Sequence, residues 1–259
     1  IKLIINPLLE SDANKLLASG DSSKQVKLSG EVFEISLSII KKDGKELSVT
    51  TFDKPITIRL KVDPTLNPKL MGIYYISDSG VLEYIGGQYV NGELVAQISH
   101  FSKYAVLEVT KTFADVLASH WAANVIQELA AKQILSGTSE TMFEPNRQVT
   151  RAEFTAMLVR AFKFTQTGEL TFADVKSNAW YTEAISIAVE AGIVAGKSDT
   201  LFAPNAQITR EEMVTMMMRA HEIINGKTMI TSGVSFKDES KVSSWAEEYV
   251  KAAAGLQLI

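Results

Sequence analysis

Two arginines occupy equivalent places in the sequence, each between a threonine and a glutamate. They belong to Thr150-Arg151-Ala152-Glu153 and Thr209-Arg210-Glu211-Glu212. A Thr with a Glu three residues later is the pattern of a capping box, which places each Arg in the first helical turn. A cation there opposes the helix dipole, so the pattern predicts an anionic partner for each guanidinium. Two interpretations remain open: the partner is an acidic ligand, or it is a carboxylate of a neighbouring repeat, for which Asp115, Asp174 and Asp238 are the candidates.

Three tryptophans lie near short-chain carboxylates, at positions where helices are expected to begin. They are Trp121, Trp180 and Trp245, which follow Asp115, Asp174 and Asp238. An amphipathic ring at a helix start can pack one face against the protein and offer the other to a sugar. The alternative is that the rings are core anchors. The Asp residues are expected either to bind sugar hydroxyls or to cap their helices.

The tripeptide His100-Phe101-Ser102 suggests a different chemistry. A Ser hydroxyl can attack the preceding carbonyl if the peptide is held under strain, and the resulting ester is opened by water. The tripeptide resembles the self-cleavage site of certain autoprocessing β-domains in animal signalling proteins and a nucleoporin. The alternative is an ordinary strand, in which Phe101 packs inward, His100 and Ser102 face solvent, and Tyr104 and Val106 continue the alternation.

The elements that position these residues come from an internal repeat. The stretch from Phe113 to Ala161 recurs from Phe172 to Ala220, displaced by 59 residues, and a third copy begins at Phe236. A fixed period of this size indicates one supersecondary unit used repeatedly. We therefore expect repeats over 111–164 and 165–225 and a partial repeat over 226–259.

Each repeat predicts two helices. In the first copy Val125, Ile126, Leu129 and Ile134 share one helical face. The helix is expected to end near Gly137, and its counterpart near Gly196, because Gly suits the left-handed turn after a helix. The second helix begins at each capping box, and its Met residues are expected to fill the core.

Residues 1–110 predict a small antiparallel β-sandwich. Val32–Ile40, Ile56–Val62 and Met71–Ile76 are rich in β-branched and aromatic residues, as strands are. Lys42-Asp43-Gly44 and Asn91-Gly92 are hairpin signals. Residues 7–19 are expected to form a helix, and 1–5 a strand. The fold class is therefore α+β.

Composition excludes several classes of function. The formal charge is −4 and no basic stripe is present, which argues against nucleic acid as a partner. Zero cysteines exclude disulfides and thiolate metal sites, and the three histidines lack metal-ligand spacing. No apolar run approaches the roughly 18 residues of a membrane span, and no signal peptide is apparent, so we expect a mature or trimmed fragment. No acid/base carboxylate pair stands out, so we expect no enzyme and no cofactor.

The repeated set resembles the S-layer homology (SLH) domain family. The repeated set consists, in order, of Phe-x-Asp-Val, a Trp, an amphipathic helix, a Gly, a loop with Phe-x-Pro-Asn, and Val/Ile-Thr-Arg-x-Glu. The similarity covers residues 113–259, with two full copies and the first half of a third. The string His-Phe-Ser-x-Tyr-Ala-Val in the front domain is familiar from the β-domains that precede such repeats, where a spacer role is expected.

The resemblance implies a pseudo-threefold helical assembly that binds an acidic, typically pyruvylated, secondary cell wall polysaccharide in grooves between repeats. It implies a secreted protein of the Gram-positive cell wall or S-layer, and anchoring without turnover. In the family the Arg of the Thr-Arg-Ala-Glu motif helps hold the acidic sugar, which corresponds here to Arg151 and Arg210. The expected ligand-binding residues are Arg151, Arg210, Asp115, Asp174, Trp121, Trp180, Gly137 and Gly196.

Overall fold

The computed structural model describes residues 1–18, 20, 23–227 and 236–259. The chain folds as two compact units, Ile1–Pro145 and Asn146–Ile259. The first unit contains both β-sheets and two helices, and the second is helical. The predicted α+β class is confirmed.

The elements of the first unit follow one another with short connections. They are β1 (Lys2–Pro7), α1 (Glu10–Ala18), β2 (Lys24–Ile40), β3 (Glu46–Val49), β4 (Thr51–Lys61), β5 (Met71–Ile76), β6 (Leu82–Gly86), β7 (Gln88–Val90), β8 (Glu93–His100), β9 (Lys103–Lys111) and α2 (Ala123–Ala131). Within the described ranges one sheet has the order β1-β2-β9-β5-β6, with β3 also paired to β2, and the other has the order β4-β8-β7. All pairings are antiparallel.

Both predicted hairpins form. Lys42-Asp43-Gly44 joins β2 to β3, and Asn91-Gly92 joins β7 to β8 with both residues at positive φ, 51° and 86°. Both the strand and the helix expected at the start of the chain are present, as β1 and α1. Ser19, at the end of the expected helical stretch, lies outside the described residues.

Strand β9 is buried on both faces and divides the apolar residues of the first unit into two clusters. Tyr104 and Val106 pack with side chains of β5 and β8, so that this cluster takes residues from both sheets. Ala105, Leu107 and Val109 pack in the other cluster, which includes Ala131 at the end of α2.

Side-chain hydrogen bonds hold the end of α2 within the first unit. The Tyr74 hydroxyl donates to the Ala131 carbonyl at 2.5 Å, and burial raises the pKa of this hydroxyl. The Gln133 side chain donates to the Leu82 carbonyl at 2.7 Å and accepts from the Tyr84 amide at 2.8 Å. The first helix of the repeat region is therefore part of the unit that contains the sheets.

The prediction that Gly137 and Gly196 end helices is wrong. Helix α2 ends at Ala131, and the positive φ that follows belongs to Gln133 at 56°. A Cβ at Gly137 would lie 2.3 Å from the Met142 carbonyl oxygen, and one at Gly196 would lie 2.3 Å from that of Ser198. Glycine is needed at these two positions because the loop backbone approaches too closely for a side chain.

The second unit contains the later helices of the repeat region. They are α3 (Arg151–Phe162), α4 (Thr182–Glu190), α5 (Arg210–Asn225), a 3₁₀ helix (Glu239–Lys241) and α6 (Glu247–Gly255). One apolar cluster includes residues of α3, α4 and α5, and another joins α5 to α6. Met216 and Met218 are buried and Met217 packs partly buried against the first cluster, so three of the four methionines of α5 contribute to the core.

Candidate functional site

Both predicted capping boxes are present. At α3 the Thr150 hydroxyl accepts the Glu153 N–H at 3.2 Å, and the Glu153 carboxylate accepts the Thr150 N–H at 2.9 Å. At α5 the Thr209–Glu212 pair forms the same two bonds at 3.2 and 3.0 Å. Each arginine therefore lies at the first helical position, as the spacing predicts.

Arg151 is bound by the polypeptide itself. Only 4% of the residue is exposed, and all three guanidinium nitrogens donate. Nε donates to the Phe202 carbonyl at 3.0 Å, one terminal nitrogen to the Ala195 carbonyl at 2.9 Å, and the other to Glu212 Oε1 at 2.7 Å. The guanidinium also lies 4.9 Å from the centroid of the Phe202 ring.

The counter-charge of Arg151 is thus a carboxylate of the neighbouring repeat, as one of the two interpretations expected, but it is Glu212 and none of the three Asp candidates. The same Glu212 carboxylate completes the cap of α5, so one side chain joins the starts of two helices. Burial alone would raise the pKa of Glu212, but the hydrogen bonds from Lys197 and the Thr209 N–H, with the charge of Arg151, lower it. Arg151 positions the loop that contains Ala195 and Phe202.

Arg210 has different surroundings. It is exposed, and no described residue forms a hydrogen bond or ion pair with its side chain. Its neighbour Glu211 is occupied: the carboxylate accepts the Ser243 N–H at 3.0 Å and the Ser243 hydroxyl at 3.1 Å. These bonds tie the segment before Trp245 to the start of α5.

Asp115 and Asp174 hold the loops that follow the first helix of their repeats. Asp115 accepts the N–H groups of Phe143 and Glu144 at 2.9 and 2.6 Å. Asp174 accepts those of Phe202 and Ala203 at 2.9 and 2.7 Å. The backbone bond from Phe143 is the main cause of a lowered pKa for Asp115. Neither Asp caps its helix, because α2 and α4 have no side-chain cap.

The three tryptophans are exposed rather than buried in the core. Trp121 is 90% exposed, Trp180 62% and Trp245 50%. Each residue directly after a tryptophan is instead buried: Ala122, Tyr181 and Ala246. The interpretation of the rings as core anchors is therefore wrong, and their faces are available to a ligand.

A groove of about 340 Å³ lies in the second unit beside Trp245, and we call it the Trp245 groove. Its charged, polar and aromatic side chains come from α3, the loop after α4, α5 and the segment before α6. They are Arg151, Lys197, Glu212, Thr215, Arg219 and Trp245. Gly196 also borders the groove, whereas Arg210, Asp174 and Trp180 do not line it.

Cations outnumber carboxylates in this groove. Three cations face one carboxylate, a formal charge of +2. Lys197 contacts Glu212 Oε1, but its side chain remains 45% exposed. Arg219 lies 5.4 Å from the centroid of the Tyr249 ring, and its Nε is 3.4 Å from the Tyr249 hydroxyl. No carboxylate among the described residues pairs with Arg219, so the groove favours an anion.

Thr215 adds a hydroxyl to the groove. The residue is 3% exposed, and its Oγ1 has no hydrogen-bond partner among the described residues. A buried hydroxyl without a partner costs about 1–3 kcal/mol. The sequence interpretation missed Lys197 and Thr215, because they differ between the copies. Arg219 recurs in the first repeat as Arg160, and the sequence interpretation assigned neither of them a role.

His100, Phe101 and Ser102 lie where the chain passes from one sheet to the other. The Tyr104 hydroxyl donates to the His100 carbonyl at 2.8 Å and lies 3.2 Å from Nδ1 of the same residue. The imidazole stands edge to face with Tyr75 at 4.9 Å, so the expectation that His100 faces solvent is wrong. Phe101 packs against Phe52 at 4.8 Å. No hydrogen bond between the Ser102 hydroxyl and His100 occurs in the described structure.

No cluster of three or more His, Cys, Asp or Glu side chains suited to a metal is found in the described part of the chain. Within the same residues no helix is both long and apolar enough to span a bilayer.

Comparison with known proteins identifies related chains. The model of the S-layer homology domain matches residues 112–155, 171–214 and 235–259. An amylopullulanase of Thermoanaerobacterium thermosulfurigenes is 38% identical over 216 residues, which is 81% of this chain and 11% of that protein. The exoglucanase XynX of Acetivibrio thermocellus is 40% identical over 60% of this chain and 14% of its own length. The surface-layer 125 kDa protein of Lysinibacillus sphaericus is 35% identical over 52% of this chain and 11% of its own.

The chain spans less than a fifth of the length of these relatives. Two are named as enzymes and one as a surface-layer protein, so the region they share with this chain occurs in proteins of different kinds. Together with the family match, the surface-layer relatives indicate a location at the cell wall or surface of a Gram-positive bacterium.

Proposed function

Because residues 112–155, 171–214 and 235–259 belong to the S-layer homology domain family, we propose that the chain is a non-catalytic anchor that binds an acidic secondary cell wall polysaccharide. S-layer homology domains mediate cell-wall anchoring in S-layer proteins. The ligand class in the proposal is a pyruvylated glycan, bound in grooves between repeats. The pseudo-threefold assembly and the repeat bounds 111–164, 165–225 and 226–259 stay predictions, and 228–235 lie outside the described residues. The proposal includes residues 1–110 as a β-sandwich spacer.

The observation that carries the proposal is the charge and shape of the Trp245 groove. A sugar carboxylate entering it would meet Lys197, whose side chain is 45% exposed although it contacts Glu212, and the guanidinium of Arg219, which lies against the Tyr249 ring. The half-exposed Trp245 offers an apolar ring face to the sugar. Charge-assisted hydrogen bonds to carboxylates are roughly twice as strong as neutral ones, which supports an acidic ligand over a neutral one.

The residues expected from the sequence take different parts in this proposal. Arg151 positions the 195–202 loop and Glu212 by hydrogen bonds, and Asp174 positions the same loop by accepting backbone N–H groups. Trp121 and Trp180 present exposed rings, and Arg210 an exposed guanidinium. We propose that these three contact the glycan outside the Trp245 groove.

The proposal contains no catalytic step. Self-cleavage between Phe101 and Ser102 is not favoured by any contact, since the His100 ring faces Tyr104 and Tyr75. We propose that the contacts between His100 and Tyr104 stabilise the segment in which the chain passes from β8 to β9.

The test is co-sedimentation with isolated Gram-positive cell walls that carry a pyruvylated polysaccharide. We compare the parent with the variant Lys197→Ala/Arg219→Ala. Loss of one charged hydrogen bond costs about 1.5–3 kcal/mol, so the double change should weaken binding at least about 100-fold. The matched control is Lys42→Ala/Lys176→Ala, which removes the same charge from two exposed lysines that do not line the groove.

Mild-acid removal of the pyruvyl groups from the walls tests the ligand class. The parent should bind untreated walls and lose most of its binding to treated walls. A parent that sediments equally with both, or with neither, refutes the proposal.

A further inference from the structure

The two full repeats differ in the residues that line the Trp245 groove. Four lining residues have identical counterparts 59 positions earlier: Gly196, Glu212, Met216 and Arg219 match Gly137, Glu153, Met157 and Arg160. Three lining positions do not match. Lys197 corresponds to Thr138, and Thr215 corresponds to Ala156. Ala195, which corresponds to Ser136, contributes its backbone carbonyl to Arg151.

Lys197 can move away from Glu212 without leaving a buried charge unpaired. It contacts Glu212 Oε1 from the exposed side of the groove, and Arg151 binds the same oxygen from the buried side at 2.7 Å. The Thr209 N–H donates to the other oxygen at 3.0 Å. Since Glu212 stays paired and hydrogen-bonded, an incoming carboxylate can recruit the Lys197 ammonium without the penalty of an unpaired buried charge.

Glu153, the counterpart of Glu212, has a different arrangement. Its ion-pair partner is Arg147 at 2.6 Å, a residue whose counterpart in the second repeat is Ala206. In the first repeat the capping-box carboxylate of Glu153 is thus paired with an arginine from the loop that precedes its helix. Position 138 is a threonine, so this repeat has no lysine there.

Thr215 is the second side chain that distinguishes the second repeat from the first. Thr215 lines the groove, and its buried Oγ1 lacks a partner among the described residues. A ligand hydroxyl, directly or through one water, would satisfy this oxygen once the side chain turned it toward the groove. Ala156 offers no such group. A site built to hydrogen-bond a hydroxyl discriminates strongly against ligands that lack one, because its own polar group is then left unpaired.

We infer that Lys197 and Thr215 are specificity-determining residues that make the Trp245 groove the strongest acidic-saccharide site of this chain. The ligand class is a sugar that carries both a carboxylate and a free hydroxyl within the span of the groove. This inference depends on the proposed function, and it adds that the second repeat binds more tightly than the first because of these two side chains.

The experiment is titration calorimetry of the full chain with a soluble pyruvylated wall polysaccharide. The variant Lys197→Thr/Thr215→Ala introduces the residues that the first repeat has at the matched positions. Loss of one charged contact and one neutral hydrogen bond predicts an affinity lower by about 100-fold. Lys197→Arg keeps the charge and should stay within about threefold of the parent.

The matched control is Thr138→Ala, which removes the side chain at the equivalent loop position of the first repeat and should change affinity less than about threefold. Circular dichroism melting verifies that each variant is folded. If Thr138→Ala loses as much affinity as the double variant, or if the double variant binds like the parent, the inference is overturned and the proposed function stands. A parent that fails to bind the polysaccharide overturns the proposed function itself, and the inference with it.

Discussion

Replacing Arg151 and Arg210 by alanine, one at a time, compares the same repeat position in two opposite environments. Both follow a capping threonine at the first helical position. Arg151 is buried and makes three hydrogen bonds, whereas Arg210 is exposed and has no partner among the described residues. We expect Arg151→Ala to destabilise the second unit strongly and Arg210→Ala to leave it nearly unchanged.

The expected magnitudes follow from what each change leaves behind. Arg151→Ala leaves the carbonyls of Phe202 and Ala195 without this donor and removes one cation from Glu212. Breaking a buried ion pair on one side costs about 3–5 kcal/mol. Lys197 still contacts the same carboxylate oxygen, so we expect the lower end, about 3 kcal/mol.

For Arg210→Ala the expected change in the free energy of unfolding is within about 0.5 kcal/mol, as for other surface substitutions. Its sign should be slightly stabilising, because the removed cation lies in a first helical turn. The helix dipole disfavours such a charge by about 0.3–1 kcal/mol.

The assay is urea denaturation monitored through hydrogen exchange of the α5 amides. Because α5 lies in the second unit, the signal reports the unfolding of that unit. With a slope of about 1–3 kcal/mol per molar urea, a loss of about 3 kcal/mol lowers the midpoint by roughly 1–3 M. The reasoning is refuted if Arg151→Ala unfolds at the parent's midpoint, or if Arg210→Ala loses as much stability as Arg151→Ala.

Three further predictions concern the orphan hydroxyl, acid stability and the His-Phe-Ser tripeptide. Thr215→Val should raise the free energy of unfolding by about 1 kcal/mol in urea denaturation, because it removes a buried hydroxyl without a partner; a decrease would show that the hydroxyl is satisfied. Glu212 has a lowered pKa in the folded chain, so its stabilising contribution is present above the ordinary value of 4.5 and is lost as pH falls through the folded pKa. Glu212→Gln should therefore flatten the fall in stability below about pH 4.5, measured as an acid titration by circular dichroism, and an unchanged curve would assign the acid sensitivity elsewhere. The purified chain should remain one band near 28.4 kDa on a denaturing gel after long incubation, and pieces of 101 and 158 residues, which together make 259, would contradict our account of His100.

Local signals in the sequence predicted the local structure well. The Thr and Glu of each capping box lie within one helical turn, so their spacing alone determines that they can meet. The same is true of Asn91-Gly92, whose residues both tolerate the positive φ that the hairpin requires. Such features depend on neighbours in sequence and need no knowledge of tertiary packing.

The partner of Arg151 could not be predicted in this way. Glu212 lies 61 residues away and already had an assigned role in the cap of α5. The sequence indicated an acidic ligand or a carboxylate of a neighbouring repeat, and the candidates that it offered were the Asp residues near the start of each repeat. The prediction that Gly137 and Gly196 end helices failed for a related reason. Glycine is required there because the loop backbone approaches closely, as the Met142 carbonyl approaches Gly137.

Positions that recur in the two full repeats include the framework of the fold, and positions that differ between them include two residues that line the Trp245 groove. A residue that recurs in both copies, such as Asp174 with its counterpart Asp115, forms the same backbone contacts in each and builds the scaffold. Arg151 is also a recurring residue, and it is buried by contacts within the chain. Under the proposed function, a difference in ligand preference between the two repeats comes from groove residues that differ between the copies. Lys197 and Thr215 meet this condition, because both line the groove and neither is repeated. The recurring residues thus include the framework, and the departures from repetition at the groove are where we propose that the two repeats differ toward an acidic sugar.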